Sequence, residues 1–310
     1  MSEAVDRAEA ILRRSCDDRV RTGSPLAPLT TLRVGGPAAL VLEVGSDRDL
    51  EAVSEAVRET GITWMVLGKG SNLLISDEGF DGLVLRLGRA FRWVERDGNR
   101  LTAGGAMPLP ALAGAALSGS LTGLEWGVAV PASLGGAVRM NAGAHGGEMA
   151  DVLETIQVFD LRRGGSESLR AEDAGFVYRG SSLPPDGVVT RATVHLGDGD
   201  ADQIRARMDR IREWRRIHQP LAEPNCGSVF KNPPGDSAAR LIDAAGLKGR
   251  TIGGASVSTK HANFIVTSEG ADAADVAALI QTVQEAVLAR FDVRLDPEVH
   301  LVGRFERSPL

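Results

Sequence analysis

The chain has 310 residues, 43% of them hydrophobic and 25% charged, and a formal net charge of −6; that balance belongs to a folded globular protein with enough surface to bury more than one core, and it argues against a general electrostatic grip on DNA or RNA. No segment approaches the ~20 uninterrupted apolar residues of a membrane span, and the mixed-charge stretch 1–18 lacks the pattern of a signal peptide. Two cysteines, Cys16 and Cys226, form neither a disulfide framework nor a zinc spacing, and the five histidines are scattered, so a cytoplasmic protein without a metal centre is expected.

An N-terminal helical segment is expected over 1–27. Residues 38–45 (AALVLEVG) read as a strand, Ser46 as a helix N-cap, and Leu50, Val53 and Val57 as the apolar stripe of the helix that follows. A strand over 62–67 runs into the turn Gly68-Lys69-Gly70-Ser71-Asn72, and the next segments, NLLIS and GFDGLVLRL, are strand-like again. The Gly-rich turn therefore joins strand to strand. A second block, from Leu101 to about His195, holds a short helix over 110–118, a Gly/Ala/Ser loop over 123–147, and strands near 152–161 and 188–196. Residues 201–217 carry Ile204, Met208, Ile211 and Trp214 at helical spacing, an amphipathic helix placed between two domains. A third block contains the loop 226–233, helices over 238–245 and 272–291, strands near 253–258 and 263–266, and a last strand over 297–302. Helices and strands alternate throughout without an internal repeat, so the chain is of the α+β or α/β class.

Familiar nucleotide signatures fail. G-x-G-x-x-G would need glycine where Leu73 stands, and a P-loop would need Ser or Thr where Gly70 stands. What remains are two Gly-rich loops. The first, 68–72, can turn successive backbone N–H groups toward one point as an anion nest. The second, 131–147, contains Pro131, Ser133, Gly135, Gly136, Asn141 and Gly143; it is too long and too apolar for a solvent loop, and its small residues would let the main chain approach a flat ligand. Singly each reads as a turn; together they favour a pyrophosphate-bearing cofactor.

The basic residues sharpen the picture. Of 35 only four are lysines, and Lys69, Lys231, Lys248 and Lys260 all fall in Gly-rich or motif-like stretches, as do five of the six asparagines. Gly227-Ser228-Val229-Phe230-Lys231-Asn232 sets a hydroxyl, an ammonium and an amide close together with no His or Asp base beside the serine. Ser228 is thus a poor hydrolase nucleophile; it could donate a proton or simply cap a helix. Arg179, after the single tyrosine Tyr178, could aim a guanidinium at a carboxylate or phosphate, or be a surface arginine. Glu298 on the last strand shares a face with His300 and Val302 by the period of two. Buried, it must be paired or protonated; otherwise it is a solvated edge residue.

The segments TTLRVGG (30–36), LGKGSNLLISD (67–77), GLEWGVAVPASLGGAVRMNAGAHGGE (123–148), FVYRGS (176–181), CGSVFKNP (226–233), GLKG (246–249), VSTKHANFIV (257–266) and LDPEVHLVG (295–303) occur in this order, and together they resemble the UDP-N-acetylenolpyruvoylglucosamine reductase family. The resemblance covers about 25–305. It implies an α+β fold: a two-part FAD-binding domain of the vanillyl-alcohol-oxidase (PCMH) type over 28–198, with subdomains about 28–90 and 91–198, and a C-terminal α+β substrate domain over 199–310. The short span between Arg179 and Arg205 implies the shorter class of the family, without its extra substrate-covering subdomain. Two positions depart from the usual pattern: Ala132-Ser133 follows Pro131, and His145 stands where tyrosine is common.

The resemblance further implies non-covalent FAD, NADPH as co-substrate, and reduction of a UDP-sugar enolpyruvyl ether to UDP-N-acetylmuramate for peptidoglycan. Gly68, Lys69, Gly70, Ser71, Asn72, Pro131, Ser133, Gly135, Gly136, Asn141 and Gly143 would bind the cofactor, and Tyr178, Lys231, Asn232 and Lys260 the substrate. Ser228 would protonate the α-carbon, while Arg179 and Glu298 stabilise the developing enolate. A monomer with no nucleic-acid or membrane partner is expected. Two competitors are a flavin oxidase of the same superfamily acting on a hydroxy acid or sugar, for which His145 would be the covalent tether, and a flavin- or nucleotide-binding module without catalysis.

Overall fold

The structure, a computed structural model, describes residues 3–305. The chain divides into two compact units. The first comprises the N-terminal segment through Thr22, Ala39–Lys69 and Gly82–Trp214, and the second Gly23–Ala38, Gly70–Asp81 and Arg215 onward. Contiguous domains at 28–198 and 199–310 were expected; the second unit instead recruits two short segments from far upstream. Leu32, Val34 and Leu74 are buried in its apolar core, and Thr267 Oγ1 donates to Leu32 O at 2.6 Å. Segments 23–38 and 70–81 therefore fold with the C-terminal part of the chain because their apolar side chains are buried there.

In the first unit, strands Val20–Pro25, Pro37–Val44, Phe80–Leu87 and Trp64–Val66 form a sheet in that order. Helices Glu3–Cys16 and Asp47–Thr60 share a core with it through Leu12, Leu50, Val53, Leu83 and Leu85. The second helix starts where Ser46 accepts from Asp49 N, as the sequence pattern predicts, and stops at left-handed Gly61. The strand Val20–Pro25 replaces the tail of the helix expected over 1–27. Its sequence, VRTGSP, has no apolar alternation, which an edge strand with a single buried residue does not need.

The other half of this unit is an antiparallel sheet in the order Gly165–Arg170, Leu153–Asp160, Gly187–His195, Arg100–Gly104, Val94–Asp97. Helix Leu109–Ser118 packs into its core through Leu109, Leu112 and Ala113. The stretch read as one loop over 123–147 holds a 3₁₀ turn, Glu125–Ala129, and a short helix, Leu134–Arg139. Two glycines hide that helix from propensity, but Leu134, Ala137 and Val138 bury one side of it. Helix Ala201–His218 carries the boundary between the units at Trp214.

In the second unit, strands Thr251–Ile252, Ala255–Val257 and Ile265–Thr267 form an antiparallel sheet. Helix Ala273–Phe291 lies in the same core, and the Asp77 carboxylate accepts from Ala273 N and Ala274 N in its first turn. Strands Leu73–Ile75 and His300–Val302 pair in parallel. The last strand is thus shorter than the 297–302 expected, and Glu298 precedes it. Pro297 has no N–H to give a ladder, and the segment around it pairs instead with Val229–Lys231, as described below.

Candidate active site

A cleft of about 610 Å³ opens in the first unit, well within the ~300–1,000 Å³ of small-molecule sites. Gly68 and Lys69 line it, with Ser133, Gly135 and Gly136 from the start of the short helix, Gly105, Val189 and Arg86. Gly68 is there for space: a Cβ on it would stand 2.5 Å from Ser133 Oγ. The cleft fits a flat dianionic cofactor such as FAD on two counts. Glycine main chain and apolar side chains share its walls with Lys69, Arg92, Arg139 and Arg162, and Arg86 Nε is buried with no hydrogen-bond partner among the described residues. No histidine or cysteine is among the described lining residues, and His145 instead sets its ring edge-on to Trp214 at 5.1 Å.

The remaining residues expected at a cofactor have other positions. Gly70, at φ 62°, packs where a Cβ would meet Leu29 O at 2.4 Å, and its carbonyl accepts from Thr31 N. Asn72 Nδ2 donates to Glu298 O at 3.0 Å. Ser71 is half-buried and Pro131 exposed; neither lines the cleft. Asn141 is completely buried: its Nδ2 donates to Val177 O, and its Oδ1 accepts from Ala150 N. Gly143 O accepts from Arg179 Nη2 at 2.9 Å. Asn141 and Gly143 thereby hold the turn Val177–Gly180, closed by reciprocal backbone bonds between its ends. Within that turn Arg179 adopts φ 59°, and its guanidinium lies 4.9 Å over the exposed Tyr178 ring.

The second unit assembles the serine and the glutamate. Gly227, at φ 75°, donates its N–H to Asn225 Oδ1 and turns the chain into Ser228. Beyond it Val229–Lys231 runs antiparallel to Asp296–Glu298: Glu298 N donates to Val229 O at 2.7 Å and Lys231 N to Asp296 O at 2.9 Å, around a bridge between Phe230 and Pro297. On its other side the Ser228 strand is held by Asn263. This buried amide accepts from Phe230 N at 3.0 Å and donates to Phe230 O at 2.8 Å, while Asn263 O takes Val229 N. A side chain thus completes a backbone ladder. Buried Gln284 holds the opposite segment, donating to Leu295 O at 2.9 Å.

Electrostatics set the protonation states nearby. Burial, with a further push from the Glu298 carboxylate, drives the Cys226 thiol up to about 12, so at neutral pH it stays protonated. Desolvation and the Lys231 ammonium hold His300 below its ordinary value. Asn232 Oδ1 caps helix Ala238–Ala244 through Ala238 N, and Lys260 Nζ donates to Arg216 O. Sequence reasoning passed over a cationic cluster here. His261 is held below its usual value by burial, then by Lys248 and His218, and its Nδ1 is buried without a partner among the described residues. The signal was present in two of the motifs, GLKG and STKHAN, which carry two of the four lysines.

Comparison with known proteins converges on one family. Residues 219–302 match the model of the UDP-N-acetylenolpyruvoylglucosamine reductase C-terminal domain, and 38–167 match that of an FAD-binding domain. A UDP-N-acetylenolpyruvoylglucosamine reductase of Heliobacterium modesticaldum is 47% identical over 281 residues, 90% of this chain and 89% of that one. One from an Anaeromyxobacter species is 42% identical over 98% of this chain and 94% of its own length. The crystal structure of the Thermus caldophilus enzyme superposes with a TM-score of 0.80 at 39% identity, covering 92% of this chain and 98% of that one.

Proposed function

Since the chain belongs to the UDP-N-acetylenolpyruvoylglucosamine reductase family, FAD-containing oxidoreductases of the α+β class, we propose that it reduces UDP-N-acetylglucosamine enolpyruvate to UDP-N-acetylmuramate at the expense of NADPH, with Ser228 as the proton donor. The observation that carries the reading is the backbone pairing of Val229–Lys231 with Asp296–Glu298, which brings the chain at Ser228 beside Glu298. FAD, when bound, supplies two-electron chemistry, relaying a hydride from NADPH to the methylene carbon of the enol ether.

The chain's own residues do the rest. Hydride addition at the methylene carbon leaves a pair of electrons delocalised into the carboxylate as an enolate. Arg179 pairs with that carboxylate, and Glu298, in its protonated form, donates a hydrogen bond to it. Preorganised donors of this kind are typically worth ~3–4 kcal/mol of barrier. Ser228 passes its hydroxyl proton to the α-carbon, and solvent restores it. Gly68, Lys69, Ser133, Gly135 and Gly136 hold the cofactor; Gly70, Ser71, Asn72, Pro131, Asn141 and Gly143, expected beside them, do not line the cleft. Tyr178, Lys231, Asn232 and Lys260 bind the substrate. We read the enzyme as a cytoplasmic monomer with non-covalent FAD. Among the described residues no helix is long and apolar enough to cross a membrane, and no group of side chains could hold a metal ion.

An anaerobic flavin spectrum tests this. NADPH should bleach the bound flavin and the enol ether should restore it. Ser228→Ala should bleach as fast as the wild type yet recover more slowly by roughly 10²–10⁴. Equal loss of both half-reactions would remove Ser228 from the chemistry; bleaching without recovery in the wild type would move the enzyme to another substrate.

A further inference from the structure

Strand Phe80–Leu87 lies inside the four-stranded sheet, between Pro37–Val44 and Trp64–Val66. Side chains alternate along it. Leu83 and Leu85 enter the core shared with helix Asp47–Thr60, so Val84 and Arg86 occupy the opposite face, and Arg86 lines the cleft. A guanidinium on the inner strand of an apolar sheet needs a partner. Two other arginines at the cleft show what a protein partner looks like: Arg139 donates to the carbonyls of Leu183, Pro184 and Gly187, and Arg162 pairs with Asp186 at 2.9 Å; a third, Arg92, is exposed to solvent. Asp186 is the one carboxylate on the described lining, and Arg162 holds it. Arg86 Nε has no such partner among the described residues, although it is buried.

A buried donor left unmade is costly, and a charged one calls for an anion from outside the chain. We propose that Arg86 is an anchor of the FAD diphosphate, the fixed negative charge of that cofactor. The assignment rests on the cleft being the FAD site. It adds a charged side chain from the inner strand to the Gly68–Lys69 turn and the start of helix Leu134–Arg139, and it gives the cleft a charge-based preference for FAD over flavins without a diphosphate.

The test is reconstitution of the full-length apoprotein, followed by quenching of flavin fluorescence with FAD and, separately, with riboflavin. Arg86→Met keeps the length and apolar stem of the side chain but removes the donors. It should weaken FAD by roughly 10- to 150-fold, the range for a hydrogen bond to a charged group, and leave riboflavin unchanged. Its apoprotein should melt no lower than wild type, since in the absence of cofactor the buried Nε donor is left unpaired. Arg86→Lys should fall between the two for FAD alone, and carries the same comparison if the methionine variant does not fold. Equal weakening of FAD and riboflavin, or no change in either, would overturn the assignment. Failure of wild-type apoprotein to take up FAD would instead overturn the reading of the cleft, and it is seen before any variant is made.

Discussion

The cleft of the first unit and the Ser228–Glu298 site of the second are built by opposite means. In the cleft, side chains are withheld: Gly68, Gly105, Gly135 and Gly136 leave main chain on the wall, and a Cβ on Gly105 would meet Val189 O at 2.2 Å. In the second unit, side chains are added to the backbone: the amides of Asn263, Asn72 and Gln284 bond Phe230, Glu298 and Leu295. A large flat ligand is recognised by close approach over a wide area, which a single methyl can spoil. A proton donor must be fixed at one point, and buried amides fix it because leaving their partners unsatisfied is expensive.

That contrast can be broken first at Asn263. Asn263→Leu keeps the volume but strands Phe230 N and Phe230 O, at a cost of ~1–3 kcal/mol for each unsatisfied group. Urea unfolding should show the loss of stability, and the rate of flavin reoxidation by the enol ether should fall while FAD affinity holds. A variant that lost FAD as readily as it lost reoxidation would show that the two sites are not built independently.

The converse change is Gly68→Ala. Its methyl lands 2.5 Å from Ser133 Oγ, an overpacking of the kind that costs ~1–3 kcal/mol. FAD should dissociate faster on dilution, with reoxidation by the enol ether unaltered in the fraction that keeps the cofactor. Full flavin occupancy after dialysis would show that the wall yields.

The smallest effect is one of pH and belongs to the second unit alone. His261 and His300 are both held below their ordinary value in the fold, mainly by desolvation. Below the unfolded-state value of ~6.5 the unfolded chain therefore binds more protons, so stability is full above that pH and falls as the pH drops through it. Thermal melts at pH 7.5 and 5.5 should differ by less in His300→Asn than in wild type. An unchanged difference would mean that His300 titrates as it does in the unfolded chain.

Much of this was legible in the chain. Ser46, Leu50, Val53 and Val57 define one helix, and Asp272 with the apolar run that follows defines another, because caps and periodicity are local properties. Ser228, Arg179 and Glu298 were singled out by the family resemblance of the motifs that hold them; by spacing alone each could equally be a cap, a surface arginine or a solvated edge residue. Other assignments failed for want of local signal. The edge strands VRTGSP and GSESLR carry almost no apolar pattern, being mostly exposed. Glu298 was read as a strand residue because alternation continues through it; its true partner is Val229, 69 positions upstream.

What the sequence determined by itself, then, was the class of fold, the family and the chemistry-bearing residue types, since these depend on neighbours within a few positions along the chain. Only the tertiary structure decided how each residue is used. Asn141 holds the Arg179 turn, Asn72 holds Glu298, and the donors of Arg139 go to carbonyls while Arg86 Nε has no partner among the described residues. The same residue types can bind a ligand or satisfy a backbone, and the choice depends on which polar groups folding leaves buried within hydrogen-bonding distance, often a hundred or more residues away in the chain.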